Sequence, residues 1–150
     1  MLLTASTLPA QTPLRVMSFN IRYDNPSDGL HAWPNRREGV VKMLDFHHID
    51  IAGLQEVLKG QMDDIRRLAP SFASVGVGRA DGKIRGEYAP IFYRKDRFEL
   101  LDGGTFWLSE TPEVVGSRGW DASLERIATW AKFRRLEDGR EMFFLNTHFD

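Results

Sequence analysis

At 150 residues the chain fits one domain, and 42% apolar with 27% charged residues place it among ordinary globular proteins. Twenty basic against 21 acidic side chains leave a net charge of −1, which excludes the basic footprint of sequence-independent duplex binding. With no cysteine there is no disulfide, thiolate metal site or cysteine nucleophile, and no apolar run is long enough to span a bilayer.

Residues 1–13 read as a disordered N-terminus or a signal-peptide remnant. Met1 to Ala10 carries no charge and ends in Leu8-Pro9-Ala10, which suits export to the periplasm or beyond, although a basic n-region is missing and the apolar core is short. The rest, 14–150, reads as one unit. The run Leu-Arg-Val-Met-Ser-Phe-Asn-Ile at 14–21 is apolar at both parities, which predicts a strand covered on both faces. Asn20 lies near its end, in phase with Leu14, Val16 and Ser18. Asp24-Asn25-Pro26-Ser27-Asp28-Gly29 has the composition of a loop. Trp33-Pro34-Asn35 opens a helix with a stripe of Val40, Val41, Leu44 and His47, capped by Asn35 or the residue before it. His47 and His48 are adjacent, so on a helix they cannot face one another as metal ligands; they read as residues at its C-terminal end.

The segment Asp50-Ile51-Ala52-Gly53-Leu54-Gln55-Glu56-Val57 is a short apolar run followed by Leu58, Met62, Ile65 and Ala69 at helical spacing. It puts Glu56 where a strand gives way to a helix, the position at which open α/β sheets bind ligands. The competing reading is a carboxylate favouring the positive end of the following helix. A strand at 72–77 precedes a polar, basic loop containing Arg79, Lys83 and Arg85. Its glycines do not match dinucleotide or Walker spacing, so it is a solvated turn or a rim that meets anionic substrate.

Pro90 confines the strand at 87–94 to a sheet edge or a strand start. Asp96-Arg97 then turns into Phe98-Glu99-Leu100-Leu101, a predicted hairpin partner, with a separate β-rich run at 105–109. The segment 110–122 is a long surface loop, a class often functional. From 126 to 135, Ile127, Thr129, Ala131 and Phe133 alternate with Arg126, Ala128, Trp130 and Lys132. After the turn Glu137-Asp138-Gly139-Arg140, the strand at 142–149 sets Phe143, Leu145, Thr147 and Phe149 on one face and Phe144, Asn146 and His148 on the other, with Asp150 in the same phase. His148 is either a satisfied core histidine or part of a polar site.

Taken in order, Ser18-Phe19-Asn20-Ile21-Arg22, Gly53-Leu54-Gln55-Glu56-Val57, Gly86-Glu87 and Asn146-Thr147-His148 resemble the successive motifs of the endonuclease/exonuclease/phosphatase superfamily. That superfamily includes pancreatic-type deoxyribonuclease, deadenylases, neutral sphingomyelinases and inositol-polyphosphate 5-phosphatases. Phe106-Trp107-Leu108-Ser109-Glu110-Thr111-Pro112-Glu113 and Gly119-Trp120-Asp121 are similar to a bacterial, often exported branch.

The resemblance implies an α+β fold, a four-layer α/β/β/α sandwich of which these residues form the N-terminal portion, and Mg²⁺-dependent hydrolysis of phosphate esters, with Mn²⁺ as a substitute. It implies Glu56 as metal ligand, Asn20 beside it, His148 on the scissile phosphate, Glu87 orienting that imidazole and Arg126 on a phosphate oxygen. The partner would be a nucleotide, nucleic-acid end, phospholipid or sugar phosphate. The later Gly-Asp-x-Asn and Ser-Asp-His motifs, credited with activating water, do not occur here, so the chain by itself is expected to be inactive or nearly so. The alternative is a degenerate domain that binds phosphorylated ligands without turnover.

Overall fold

The computed structural model describes residues 12–149; the expectations for residues 1–11 and Asp150 lie outside them. The first strand, β1 (Val16–Asn20), pairs in parallel with β2 (Ile51–Gln55), and helix α1 (Trp33–Phe46) makes the crossover between them. Helix α2 (Lys59–Leu68) follows, then β3 (Phe72–Val75) and β4 (Ile91–Arg94), giving a four-stranded sheet in the order β1-β2-β4-β3. A second, antiparallel sheet is a meander of β5 (Phe98–Trp107), β6 (Ile127–Arg135) and β7 (Glu141–Thr147). The described residues therefore stack as helices, sheet and sheet, in the expected α+β class.

Two of the three core clusters among the described residues follow from the alternation of side chains along the strands. Ala52, Leu54 and Phe92 face the helices and meet Val41, Leu44, Met62 and Ile65. Ile51, Ile91 and Tyr93 face the second sheet and meet Phe98, Ala131 and Phe133, with Met142 and Phe144 at the margin. Each large side chain buried in this way contributes roughly 1.5–3 kcal/mol. Because β2 is covered on both sides, all five of its residues are buried, as its unbroken apolar run predicts. Asp50 at its entrance is also buried; it accepts from the Arg15 amide at 2.8 Å and pairs with the Arg97 guanidinium.

Several expectations need correction. β1 is an edge strand, and Val16, Ser18 and Asn20 are exposed rather than covered, because the three strands of the second sheet do not extend over it. Residues 24–29 are not wholly loop: a short 3₁₀ segment, Pro26–His31, starts from Asn25, whose side chain accepts from the Ser27 amide. The cap position of α1 is Ala32 without a side-chain hydrogen bond, while Asn35 donates instead to the carbonyls of Gly29 and Leu30. His47 is exposed and leaves the apolar stripe. The strand expected at 87–94 begins only at Ile91, and Pro90 lies just before it, at the strand start that was one of its two expected places.

The predicted hairpin between β4 and the next strand does not form. The Asp96-Arg97 turn passes the chain to the other sheet, and 98–107 is one strand paired to β6, with a register shift at Leu101.

Candidate active site

The carboxyl ends of β1, β2 and β7 and the residues just ahead of β4 and β6 meet at one end of the two sheets. Glu56 is the first residue beyond β2 and holds φ +60°, a left-handed conformation that costs a non-glycine residue energy. It is half-buried, and both carboxylate oxygens are engaged. The Asn20 amide nitrogen donates to Oε1 at 2.8 Å, and the Tyr23 backbone N–H donates to Oε2 at 3.1 Å.

The loop that brings Tyr23 there is itself held. Arg22, also at φ +60°, donates its amide to Asn20 Oδ1 at 2.9 Å. The Arg36 guanidinium gathers the carbonyls of Ile21 and Arg22, and the buried Gln61 side chain donates to Arg22 O at 2.9 Å while accepting from Asp24 and Leu58 amides. A strained carboxylate over-determined by this many contacts is the kind of feature found at functional sites.

Burial pushes the Glu56 carboxyl up, but the hydrogen bonds from Asn20 and Tyr23 and the charges of His148 and Arg22 outweigh it and hold the group below the usual carboxylate value of 4.5. A carboxyl depressed by folding contributes stability that is present above its unfolded pKa and lost as pH falls through the folded one. Replacing Asn20 with Ala removes the largest of the lowering interactions, so Glu56 should titrate closer to 4.5 and the acid-unfolding midpoint should move to higher pH. Carboxylate ¹³C NMR measures the first effect directly; an unchanged Glu56 titration would show that the Asn20 bond does not form in solution.

Glu87, Arg126 and His148 line a second part of the same end, a recess of about 10 Å³ shared with Arg79, Tyr88, Ala89, Glu125 and Ile127. Glu87 Oε2 is 3.9 Å from His148 Nδ1, beyond hydrogen-bond range, and 3.3 Å from Arg79 Nη1. His148 Nδ1 is buried without a hydrogen-bond partner among the described residues. All five expected residues are thus gathered: Asn20 with Glu56, the other three in one recess, and His148 near enough to act electrostatically on Glu56.

Two further side chains at this end have partners that a reading of the sequence does not give. Asn146, buried between the sheets, donates to Leu54 O at 2.7 Å and Pro90 O at 3.0 Å, and accepts from the Gln55 side chain at 2.7 Å. Its signals in the sequence are its phase with His148 and its place in the Asn146-Thr147-His148 motif. Gly53 makes room for it, since a Cβ there would fall 2.6 Å from Asn146 Oδ1. Arg79, in the loop expected as a solvated turn or as a rim that meets anionic substrate, is buried and paired with Glu87, which does not fit the first of these.

The donors suit a hard divalent cation. Glu56 offers an anionic oxygen that still has lone pairs free beyond its two hydrogen bonds, and among the described residues no three His, Cys, Asp or Glu side chains form a closed cage. A single oxygen-donor carboxylate is a ligand that Mg²⁺ accepts, whereas structural zinc takes four protein ligands.

No family model matches the sequence. The chain superposes on an endonuclease/exonuclease/phosphatase from Bacteroides vulgatus with a TM-score of 0.92 and 52% identity over 93% of this chain and 54% of that one. The chain belongs to the endonuclease/exonuclease/phosphatase family. A mannosyl-6-phosphatase from Bacteroides thetaiotaomicron matches this family member with a TM-score of 0.89 and 43% identity, over 92% of this chain and 52% of that one. An uncharacterised protein of Acanthamoeba polyphaga mimivirus is 24% identical over 91% of this chain and 54% of its own length. The chain thus spans about half the length of the relatives it matches.

Proposed function

We propose that this family member contributes the metal-binding and phosphate-binding half of a Mg²⁺-dependent phosphoesterase site, with Mn²⁺ as a substitute. The observation that carries the reading is the convergence of a strained, anionic Glu56 with a recess walled by Arg126, His148 and Glu87. Phosphoryl transfer asks an enzyme chiefly for positioning and electrostatic stabilisation, and these groups supply both.

In this reading Glu56 holds the metal and Asn20 fixes the carboxylate that does so. Bound there, Mg²⁺ supplies Lewis-acid polarisation of the phosphoryl oxygens. Arg126 and the imidazole of His148 receive the remaining anionic oxygens. Glu87, 3.9 Å from Nδ1, sets the orientation of the imidazole. A phosphate ester is the substrate class. A sugar phosphate is the best-supported member of it, because the 43%-identical relative is a mannosyl-6-phosphatase. No described residue is assigned as base for the attacking water, so the chain alone is expected to bind more readily than it turns over.

Manganese as a paramagnetic probe tests the assignment. Substoichiometric Mn²⁺ should broaden the amide signals of Asn20, Tyr23, Glu56 and His148 before any others, and excess Mg²⁺ should restore them. Broadening confined to other acidic clusters, such as Asp63–Asp64, would defeat the reading.

A further inference from the structure

We propose that Arg79 is a second phosphate-binding cation that makes the site selective for phosphate monoesters; this rests on the reading of the site given above. Arg79 is built into the recess rather than leaning over it. Its backbone N–H donates to Glu87 O at 3.1 Å and its carbonyl accepts the Trp107 indole N–H at 2.7 Å, so the main chain is fixed from both sides. Gly86, at φ +80°, packs so closely that a Cβ there would lie 3.1 Å from Arg79 Cγ.

Its side chain is only 11% exposed, and its charge is met by Glu87 at 3.3 Å. One carboxylate contact at that distance uses little of a guanidinium's capacity of five N–H donors. Burying an arginine costs several kcal/mol unless its donors find acceptors, and the wall this one occupies is shared with Arg126 and His148. His148 Nδ1, buried and without a hydrogen-bond partner among the described residues, adds a second unsatisfied polar atom there.

The dimensions say which ester fits. A recess of about 10 Å³ has room for roughly one water-sized group. A monoester can place a bare anionic oxygen in it, and above about pH 6 that phosphate carries close to two negative charges. A diester carries one charge. The selectivity therefore arises from the buried positive charge of Arg79, which favours the doubly charged monoester over the singly charged diester.

The test compares phenyl phosphate with methyl phenyl phosphate, binding each to the chain in Mg²⁺ at pH 7.5 and following amide chemical shifts. The parent should bind the monoester more tightly. Arg79→Met should weaken phenyl phosphate roughly tenfold while moving the diester less than about twofold, and Arg79→Lys, which keeps the charge, should recover most of the preference. Equal losses for both esters would reduce Arg79 to a structural prop for Glu87 and overturn the proposal. So would a parent that binds the two esters equally well, a result that needs no variant to fold. A parent that binds neither ester overturns the site reading along with it.

Discussion

Asn146→Ala is expected to destabilise the fold by about 2–4 kcal/mol, the cost of leaving several buried polar groups short of a partner. At roughly 2–4 °C per kcal/mol for a chain of this size, the thermal midpoint should fall by about 5–15 °C. The loss is large because one amide serves both sheets. Its nitrogen donates to the carbonyls of Leu54 and Pro90, and its oxygen accepts from Gln55, so a β7 side chain ties β2 to the residue just ahead of β4. Gln55 would keep weaker contacts to Ser18 Oγ at 3.3 Å and Gly53 O at 3.2 Å, which makes the deletion severe but survivable.

Asn146→Asp should be worse than Asn146→Ala at neutral pH. It sets a buried anion against two carbonyl oxygens where the parent has a donor, and buried charges without partners cost more than missing hydrogen bonds. Lowering the pH should partly rescue the Asp variant, because its protonated acid can donate again. Thermal denaturation of the three proteins at pH 7 and pH 5 gives the order directly. An Asp variant as stable as the parent at pH 7 would mean that the clamp does not form.

That clamp shows where the sequence stops being informative. The alternation in 142–149 places Asn146 on the face it shares with His148, but its partners lie 91, 92 and 56 residues away in the chain. Period-two patterning fixes a face and says nothing about what the face meets. The same limit explains the β4–β5 error. A turn between two apolar runs favours the local hairpin, whereas the actual partner of β5 is β6, beyond the long loop at 110–122. Gly103 and Gly104 also make 98–107 look like two strands. They are tolerated because the Trp130 ring packs where a side chain on Gly104 would stand, with Nε1 3.1 Å from a Cβ built there.

Where the signal is dense, it is enough. The run at 51–54 ending in Gln55-Glu56 predicts a fully buried strand with a carboxylate at its end, and the chain folds that way. The ordered motifs likewise bring Asn20 to Glu56, and Glu87 to His148 and Arg126, although only the coordinates reveal that Glu87 lies nearer to Arg79 than to the imidazole.

Replacing Glu56 with Gln should lower Mn²⁺ affinity by more than about a hundredfold, since removing even an outer partner of a metal ligand typically costs 10–100-fold. The substitution keeps the shape and deletes the one anionic oxygen assigned to the metal. It also turns a donor toward either Asn20 Nδ2 or the Tyr23 N–H, both of which donate to Glu56 in the parent. Asn20→Ala, which disturbs the carboxylate without removing it, should cost about tenfold. The Glu56→Gly variant separates binding from folding. Glycine relieves a left-handed backbone that costs an L-residue roughly 1–2 kcal/mol, against the loss of two hydrogen bonds to a half-buried group, so its thermal midpoint should stay close to the parent's while Mn²⁺ binding disappears. Relaxation enhancement by Mn²⁺ in the four proteins measures the series. If Glu56→Gln retains affinity within about threefold of the parent, well short of the loss of even an outer partner, the metal belongs elsewhere. The left-handed backbone at position 56 would then be explained by the hydrogen bonds that its carboxylate accepts from Asn20 and the Tyr23 amide.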